Sequence, residues 1–181
     1  MAEILLAVDL GGSNTSIYRK DCGLVLKEPT LIGAMMTDGG YEVKAIGKEA
    51  KDIQGKTDDR TIVFSPISEG VVKSIDYATI LLKHFLDKVI PKKSIFTKLK
   101  CLVPYPTGLT QEEKNDLKTV FMNVGVNDVI FVPRLLCSCY GGGVNIFANS
   151  ANMVIDIGGV STDIGVVNLG TLIDGATLCV G

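Results

Sequence analysis

One phrase, written twice, constrains this chain more than anything else in it. VDLGGSNTSI at residues 8–17 returns as IDIGGVSTDI at residues 155–164. Without a gap, Asp9 falls on Asp156, Gly11 on Gly158, Gly12 on Gly159, Thr15 on Thr162 and Ile17 on Ile164, always 147 residues apart. Each copy follows an apolar strand-like run and enters a second strand pattern, so each reads as a strand-turn-strand unit. Neither copy contains lysine or opens a helix, which excludes the lysine-bearing phosphate loop and the dinucleotide fingerprint.

The residue types in the phrase suit phosphate chemistry. Glycines allow positive φ and close backbone approach to a ligand, and successive backbone N–H groups in such a turn form a concave anion site. Ser13, Asn14, Thr15, Ser161 and Thr162 are candidate donors to phosphate oxygens. Asp9 and Asp156, at the ends of their strands, are candidates for a hydrated Mg²⁺, which takes one or two carboxylates and keeps several waters. Two such hairpins face to face would clamp a polyphosphate. A single copy could be an ordinary tight hairpin; two gapless copies favour the clamp.

Around the hairpins the pattern is mixed α/β. Residues 3–9, 15–19 and 23–27 read as consecutive hairpin strands, and 30–36 and 41–46 as extended segments around Asp38-Gly39-Gly40. The polar stretch 47–74 supports a short helix near Glu49 to Ile53 and looks like a small insert. From Asp76 the period changes: Ala78, Leu81, Leu82, Phe85 and Val89 form one helical stripe, ended by Pro91. Residues 99–103 form a strand, and Thr110-Gln111-Glu112-Glu113 a capping box before a helix that buries Leu117, Val120, Phe121 and Val124. Residues 128–132 form a further strand. Pro133 suits the first turn of a helix expected to run to Phe147, although three glycines weaken it.

Composition narrows the function classes. Eighteen basic against 20 acidic residues leave a net charge of −2, with no basic field for nucleic acid. The five cysteines form no CxxC pair, and no signal-peptide cleavage site follows the N-terminus, which reads as reduced thiols in a cytosol. The uncharged run from Leu135 to Ile155 is interrupted by Gly141, Gly142 and Gly143 and does not read as a membrane span. A hydrophobic fraction of 46% without tryptophan suits a buried sheet, or a piece with an apolar face awaiting cover.

The two hairpins resemble the phosphate motifs of the actin, sugar-kinase and heat-shock-chaperone ATPase superfamily. GLVLKEPTLIG, GKEAKDIQGKTDDRTIVFSPISEGVVKSID and LVPYPTGLTQEEKNDL follow in the order found in MreB-like bacterial actin homologues. The resemblance covers nearly the whole chain. It implies an α/β, actin-like ATPase (ribonuclease H-like) fold with a mixed sheet and flanking helices. Residues 1–31 and 75–149 would form the first large subdomain, 32–74 its small insert and 150–181 the start of a second lobe, truncated before that lobe is complete. It puts Gly11, Gly12, Ser13, Asn14 and Thr15, with Gly158, Gly159, Val160, Ser161 and Thr162, at nucleotide-contacting positions, and Asp9 and Asp156 at the magnesium and water positions. It further implies ATP and Mg²⁺ as cofactors, self-association into filaments, and a cytoplasmic protein at the inner face of the membrane that guides cell-wall synthesis.

Two departures from the family pattern bear on chemistry. MreB-like chains carry glutamate, and actins glutamine, where the attacking water is positioned; here that place falls to Arg134. Arginine cannot accept a proton but can pair with a terminal phosphate, so binding with slow hydrolysis is expected. A register one position off would instead leave Arg134 on the surface. Gly12 replaces a usual threonine, losing a hydroxyl while keeping the turn. The loop residues Ile95 and Phe96, among lysines, are candidates for a peripheral membrane contact or for packing under the next strand. A small-molecule kinase of the same superfamily and a non-hydrolysing scaffold are the alternative functions. His84, Cys137 and Cys139 read as structural.

Overall fold

A computed structural model describes residues 3–56, 58–90 and 98–181. Its largest sheet is built from β1 (Glu3–Leu10), β2 (Asn14–Arg19), β3 (Gly23–Pro29), β9 (Lys98–Tyr105) and β10 (Asp128–Pro133). These lie in the order β10-β9-β1-β2-β3. The meander β1-β2-β3 is antiparallel, whereas β9 and β10 run parallel to β1. Parallel pairing requires crossovers, and the two helices predicted from their apolar stripes supply them.

The first helix, α2 (Ile75–Val89), is capped by Ser74, whose hydroxyl accepts from Tyr77 N–H, and buries Ala78, Leu81, Leu82, Phe85 and Leu86. It ends at Ile90, which is extended, as the residue before a proline prefers. The second, α3 (Gln111–Asn123), starts in the expected capping box and buries Leu117, Val120 and Phe121. Val89 and Val124 are only partly buried, at the margins of their stripes. Both helices cover one face of the sheet, against Leu6, Val8, Leu10, Ile17, Leu99, Cys101 and Val103. That core fixes where the end of β1 points, and so where the first turn of the repeat lies.

The insert is richer than its sequence suggests. Besides α1 (Lys48–Ile53) and the expected β4 (Ile32–Thr37) and β5 (Gly40–Ile46), it contains β6 (Thr61–Phe64), β7 (Ile67–Ser68) and β8 (Val71–Val72). β6 pairs with β4, Phe64 opposite Ile32, and this long-range partner turns four residues in a polar context into a strand. Glu28 on β3 ties the insert to the core. Its carboxylate accepts from Lys48 N–H at 3.2 Å and from Lys88 on α2 at 2.8 Å.

A second sheet, β11-β12-β13 (Asn152–Ile157, Thr162–Asn168, Thr171–Leu178), is an antiparallel meander in the same order as β1-β2-β3. Between the sheets lies α4 (Arg134–Gly141), whose buried Leu135 packs against Gly165 of β12. The helix expected to reach Phe147 stops here: Gly142 caps it, and Gly143 adopts φ 76°, a conformation that ends helices and suits glycine. The other face of this sheet exposes Met153, Ile155 and Ile157, an apolar surface of the kind the composition anticipates. Among the described residues no helix is long and apolar enough to cross a membrane. Ile95 and Phe96 lie outside the described residues.

Candidate functional site

The turns joining β1 to β2 and β11 to β12 are built alike. Gly11 N–H donates to Asn14 O at 3.2 Å, and its counterpart Gly158 N–H donates to Ser161 O at 2.9 Å. A Cβ on Gly11 would lie 2.8 Å from Asn14 O, and one on Gly158 2.9 Å from Ser161 O, so a side chain is excluded at both. The second glycine of each turn faces the other turn. A Cβ on Gly12 would come within 2.7 Å of Val160 Cγ2, and one on Gly159 would collide with the Ser13 side chain. Val160 is the counterpart of Ser13 in the repeat, so the contact is reciprocal, as an approximate two-fold axis between the hairpins requires.

None of these four glycines has positive φ, which corrects the expectation that they serve backbone freedom. What the turns require is the missing Cβ: at Gly11 and Gly158 so that each turn can close on its own carbonyl, and at Gly12 and Gly159 so that the two hairpins can approach.

Beside this junction lies a cleft of about 350 Å³. Of the residues singled out by the sequence, Asp9, Gly11, Gly12, Ser13, Asn14, Arg134, Asp156, Gly158, Gly159, Val160 and Ser161 line it. Thr15 and Thr162 do not, a correction to their reading as phosphate donors. Strand alternation turns both inward: the Thr15 hydroxyl bonds that of Thr30 at 2.8 Å, and Thr162 Oγ1 donates to Val180 O at 2.7 Å. The same alternation brings Ser16 and Asp163 to the cleft. The repeat points to Asp156 and not to Asp163, because the counterpart of Asp163 in the first copy is Ser16.

Arg134, the first residue of α4, reaches across the cleft. Its Nη1 donates to Asp163 Oδ2 at 3.3 Å and its Nη2 to Asp9 Oδ1 at 3.5 Å. Only 15% of its side chain is exposed, so it is not a surface residue. Both contacts are longer than the 2.7–2.9 Å of a strong charge-assisted bond, and its buried Nε has no acceptor among the described residues.

Asp163 is 1% exposed and accepts from Thr107 N–H at 3.2 Å and from the Thr177 hydroxyl as well as from Arg134. This carboxylate therefore joins the loop after β9, strand β13 and α4. No sequence signal marks Thr107 or Thr177 as its partners.

Asp156 accepts from Ser138 Oγ on α4 at 2.6 Å. Burial in the cleft pushes the half-exposed Asp9 carboxyl above its ordinary value; Arg134 draws it down, and Asp156 and Asp163 push it up again. Burial also raises the Cys137 thiol, with Asp9 adding and Arg134 opposing, so this cysteine is no ready thiolate.

Among the described residues no group of three or more His, Cys, Asp or Glu is placed to cage a metal directly. Asp9 and Asp156 on opposite walls of one cleft nevertheless fit an ion that keeps its waters and takes one or two carboxylates.

Comparison with known proteins places this geometry. Residues 3–181 match the family model described as MreB/Mbl protein. The cell shape-determining protein Mbl of Bacillus subtilis (strain 168) is 32% identical over 173 residues, covering 96% of this chain and 51% of the relative. The cell shape-determining protein MreB of Escherichia coli (strain K12) is 28% identical over 178 residues, covering 97% and 51%. The chain thus spans about half the length of the curated relatives it matches. The crystal structure of MreB5 of Spiroplasma citri bound to AMPPNP superposes with a TM-score of 0.90 at 28% identity, over 99% of this chain and 53% of that one. A MamK double helical filament, at 21% identity, has a TM-score of 0.76 over 98% of this chain and 54% of its own, and shares the fold. The fold is actin-like.

Proposed function

The chain belongs to the MreB/Mbl protein family, and from that premise we propose that it binds ATP with Mg²⁺ in the cleft between its two hairpins and takes part in actin-like filaments that determine cell shape. The observation that carries this reading is the reciprocal junction of Gly12 with Val160 and of Gly159 with Ser13. It aligns two sets of turn residues on one cleft, as a polyphosphate grip requires. MreB5 of Spiroplasma citri, 28% identical, is bound to ADP in one structure and to AMPPNP in another, which supports a nucleotide as the ligand.

In this reading Ser13, Asn14, Ser161 and the turn backbones hold the phosphates. Asp9 and Asp156 would hold the hydrated magnesium ion, which offsets phosphate charge when bound. Arg134 keeps the three cleft carboxylates partly neutralised and turns to the terminal phosphate, whose oxygens supply the acceptor its Nε lacks. It accepts no proton from water, so hydrolysis is slow. Residues 1–31 and 75–149 act as the first large subdomain, 32–74 as its insert and 150–181 as part of the second lobe. A cytoplasmic location at the inner face of the membrane, with Ile95 and Phe96 as a weak contact and the cell-wall synthesis machinery as partner, extends the reading from the family resemblance.

Calorimetric titration of ATP into the full chain, with and without Mg²⁺, tests the site, and ATP-dependent pelleting tests assembly. Magnesium-dependent binding with nucleotide-dependent pelleting is expected. Absence of any magnesium-dependent binding would overturn the proposal.

A further inference from the structure

Strand pairing sets three residues side by side in each sheet, at the cleft. In the first sheet Asp9 lies opposite Ser16, and Ser16 opposite Lys27 on β3; all three line the cleft. In the second sheet Asp156 lies opposite Asp163, and Asp163 opposite Thr177. Residues directly opposite on neighbouring strands share a face, so the two rows are the corresponding walls of one pseudo-symmetric site. Their charges differ. The second row carries two carboxylates, one of them held by Arg134, whereas the first ends in an ammonium.

Lys27 has no carboxylate partner among the described residues. Its chain neighbour Glu28 is committed to Lys88 and to Lys48 N–H. Asp9, two strands and so about 10 Å away, is engaged by Arg134. Of the two cations that line the cleft among the described residues, Lys27 is therefore the one not bound to a carboxylate.

We infer that Lys27 is a phosphate-binding residue, and that it draws the terminal phosphates of a polyphosphate toward the Ser16 wall and away from the Asp163 wall. This rests on the proposed function and deepens it. Without Lys27, a polyanion entering a cleft with three carboxylates would find, as its one cation among the described residues, an arginine already shared between two of them. An ammonium on a flexible four-carbon stem can follow the phosphate as a point charge.

Two experiments on the full chain test the assignment. The first compares wild type, Lys27→Gln and Lys27→Arg in calorimetry with Mg-ATP and with inorganic tripolyphosphate. Loss of a charge-assisted bond predicts about a tenfold weaker Kd for both ligands in Lys27→Gln, with most of it recovered in Lys27→Arg. The second uses an ATP carrying an acyl group on its terminal phosphate. The neutral Lys27 amine attacks the acyl carbon, a C–N bond forms, the C–O bond to phosphate breaks, ATP leaves with the electron pair and the amine proton passes to solvent. Mass spectrometry should find acylated Lys27, suppressed by excess ATP. Equal Kd values in wild type and Lys27→Gln overturn the inference and leave nucleotide binding standing. Tripolyphosphate binding that depends on Lys27, with no ATP binding, overturns the nucleotide reading and leaves this one. If neither ligand binds wild type, both fall.

Discussion

Replacing Asp163 by alanine tests whether one buried carboxylate holds the two sheets together. At 1% exposure it accepts from Thr107 N–H in the loop after β9, from Thr177 on β13 and from Arg134 on α4. Removing one member of a buried ion pair costs about 3–5 kcal/mol where the other is left uncompensated, and here Arg134 keeps a longer contact to Asp9 at 3.5 Å. That remaining contact, with the 3.3 Å distance and the 15% exposure of Arg134, favours the lower end; Thr107 N–H is orphaned and adds to the cost, while the Thr177 hydroxyl keeps Thr107 O as an acceptor at 2.6 Å. We therefore expect about 3 kcal/mol, which for a chain of this size lowers Tm by roughly 6–12 °C. Asp163→Asn keeps an acceptor for Thr107 and Thr177 and loses only the charge, so it should fall between the two, at about 1.5–3 kcal/mol. Urea unfolding followed by circular dichroism reads both. An Asp163→Ala loss below about 1 kcal/mol, the range of an exposed pair, would refute the tether. So would Asp163→Asn being the more damaging of the two.

Other expectations follow from the same geometry. Arg134→Glu, which restores a group able to orient water, should speed phosphate release from bound ATP; an unchanged rate would count against Arg134 as the cause of slow turnover. Gly12→Ala and Gly159→Ala each insert a methyl into the hairpin junction, and overpacking of about 1–3 kcal/mol should weaken Mg-ATP binding in a titration; unaltered affinity would show that the junction opens freely. Burial pushes the Glu28 carboxyl up, but bonds from Lys88 and Lys48 N–H outweigh it and hold it below its usual value. Its stabilisation is thus present above the unfolded pKa of about 4.3 and is lost as pH falls through the depressed value. Glu28→Gln should therefore be about 1–2 kcal/mol less stable than wild type at pH 7, with the gap closing on acidification; a gap constant with pH would refute the ionic role.

Much of the fold is legible residue by residue. The stripes of α2 and α3 sit where the period changes, and the capping box at Thr110 marks the start of α3 within one residue. The insert is less legible. β6 owes its strand to β4, some 30 residues earlier, and a four-residue run carries no period long enough to announce it. The helix after Pro133 is overextended by its apolar pattern, since a single αL glycine at Gly143 outweighs the hydrophobic residues beyond it.

By itself the sequence determined that two like turns exist, that each follows an apolar strand, and which residues could face an anion; gapless repetition and residue chemistry suffice for that. Only the tertiary structure decided that the turns meet, with Gly12 against Val160 and Gly159 against Ser13. It also turned Thr15 and Thr162 inward, sent Arg134 to Asp9 and Asp163, and added Lys27 to the wall. The reason is physical: a strand's period of two assigns faces locally, but which faces oppose one another depends on sheet pairing and helix packing between residues far apart in the chain.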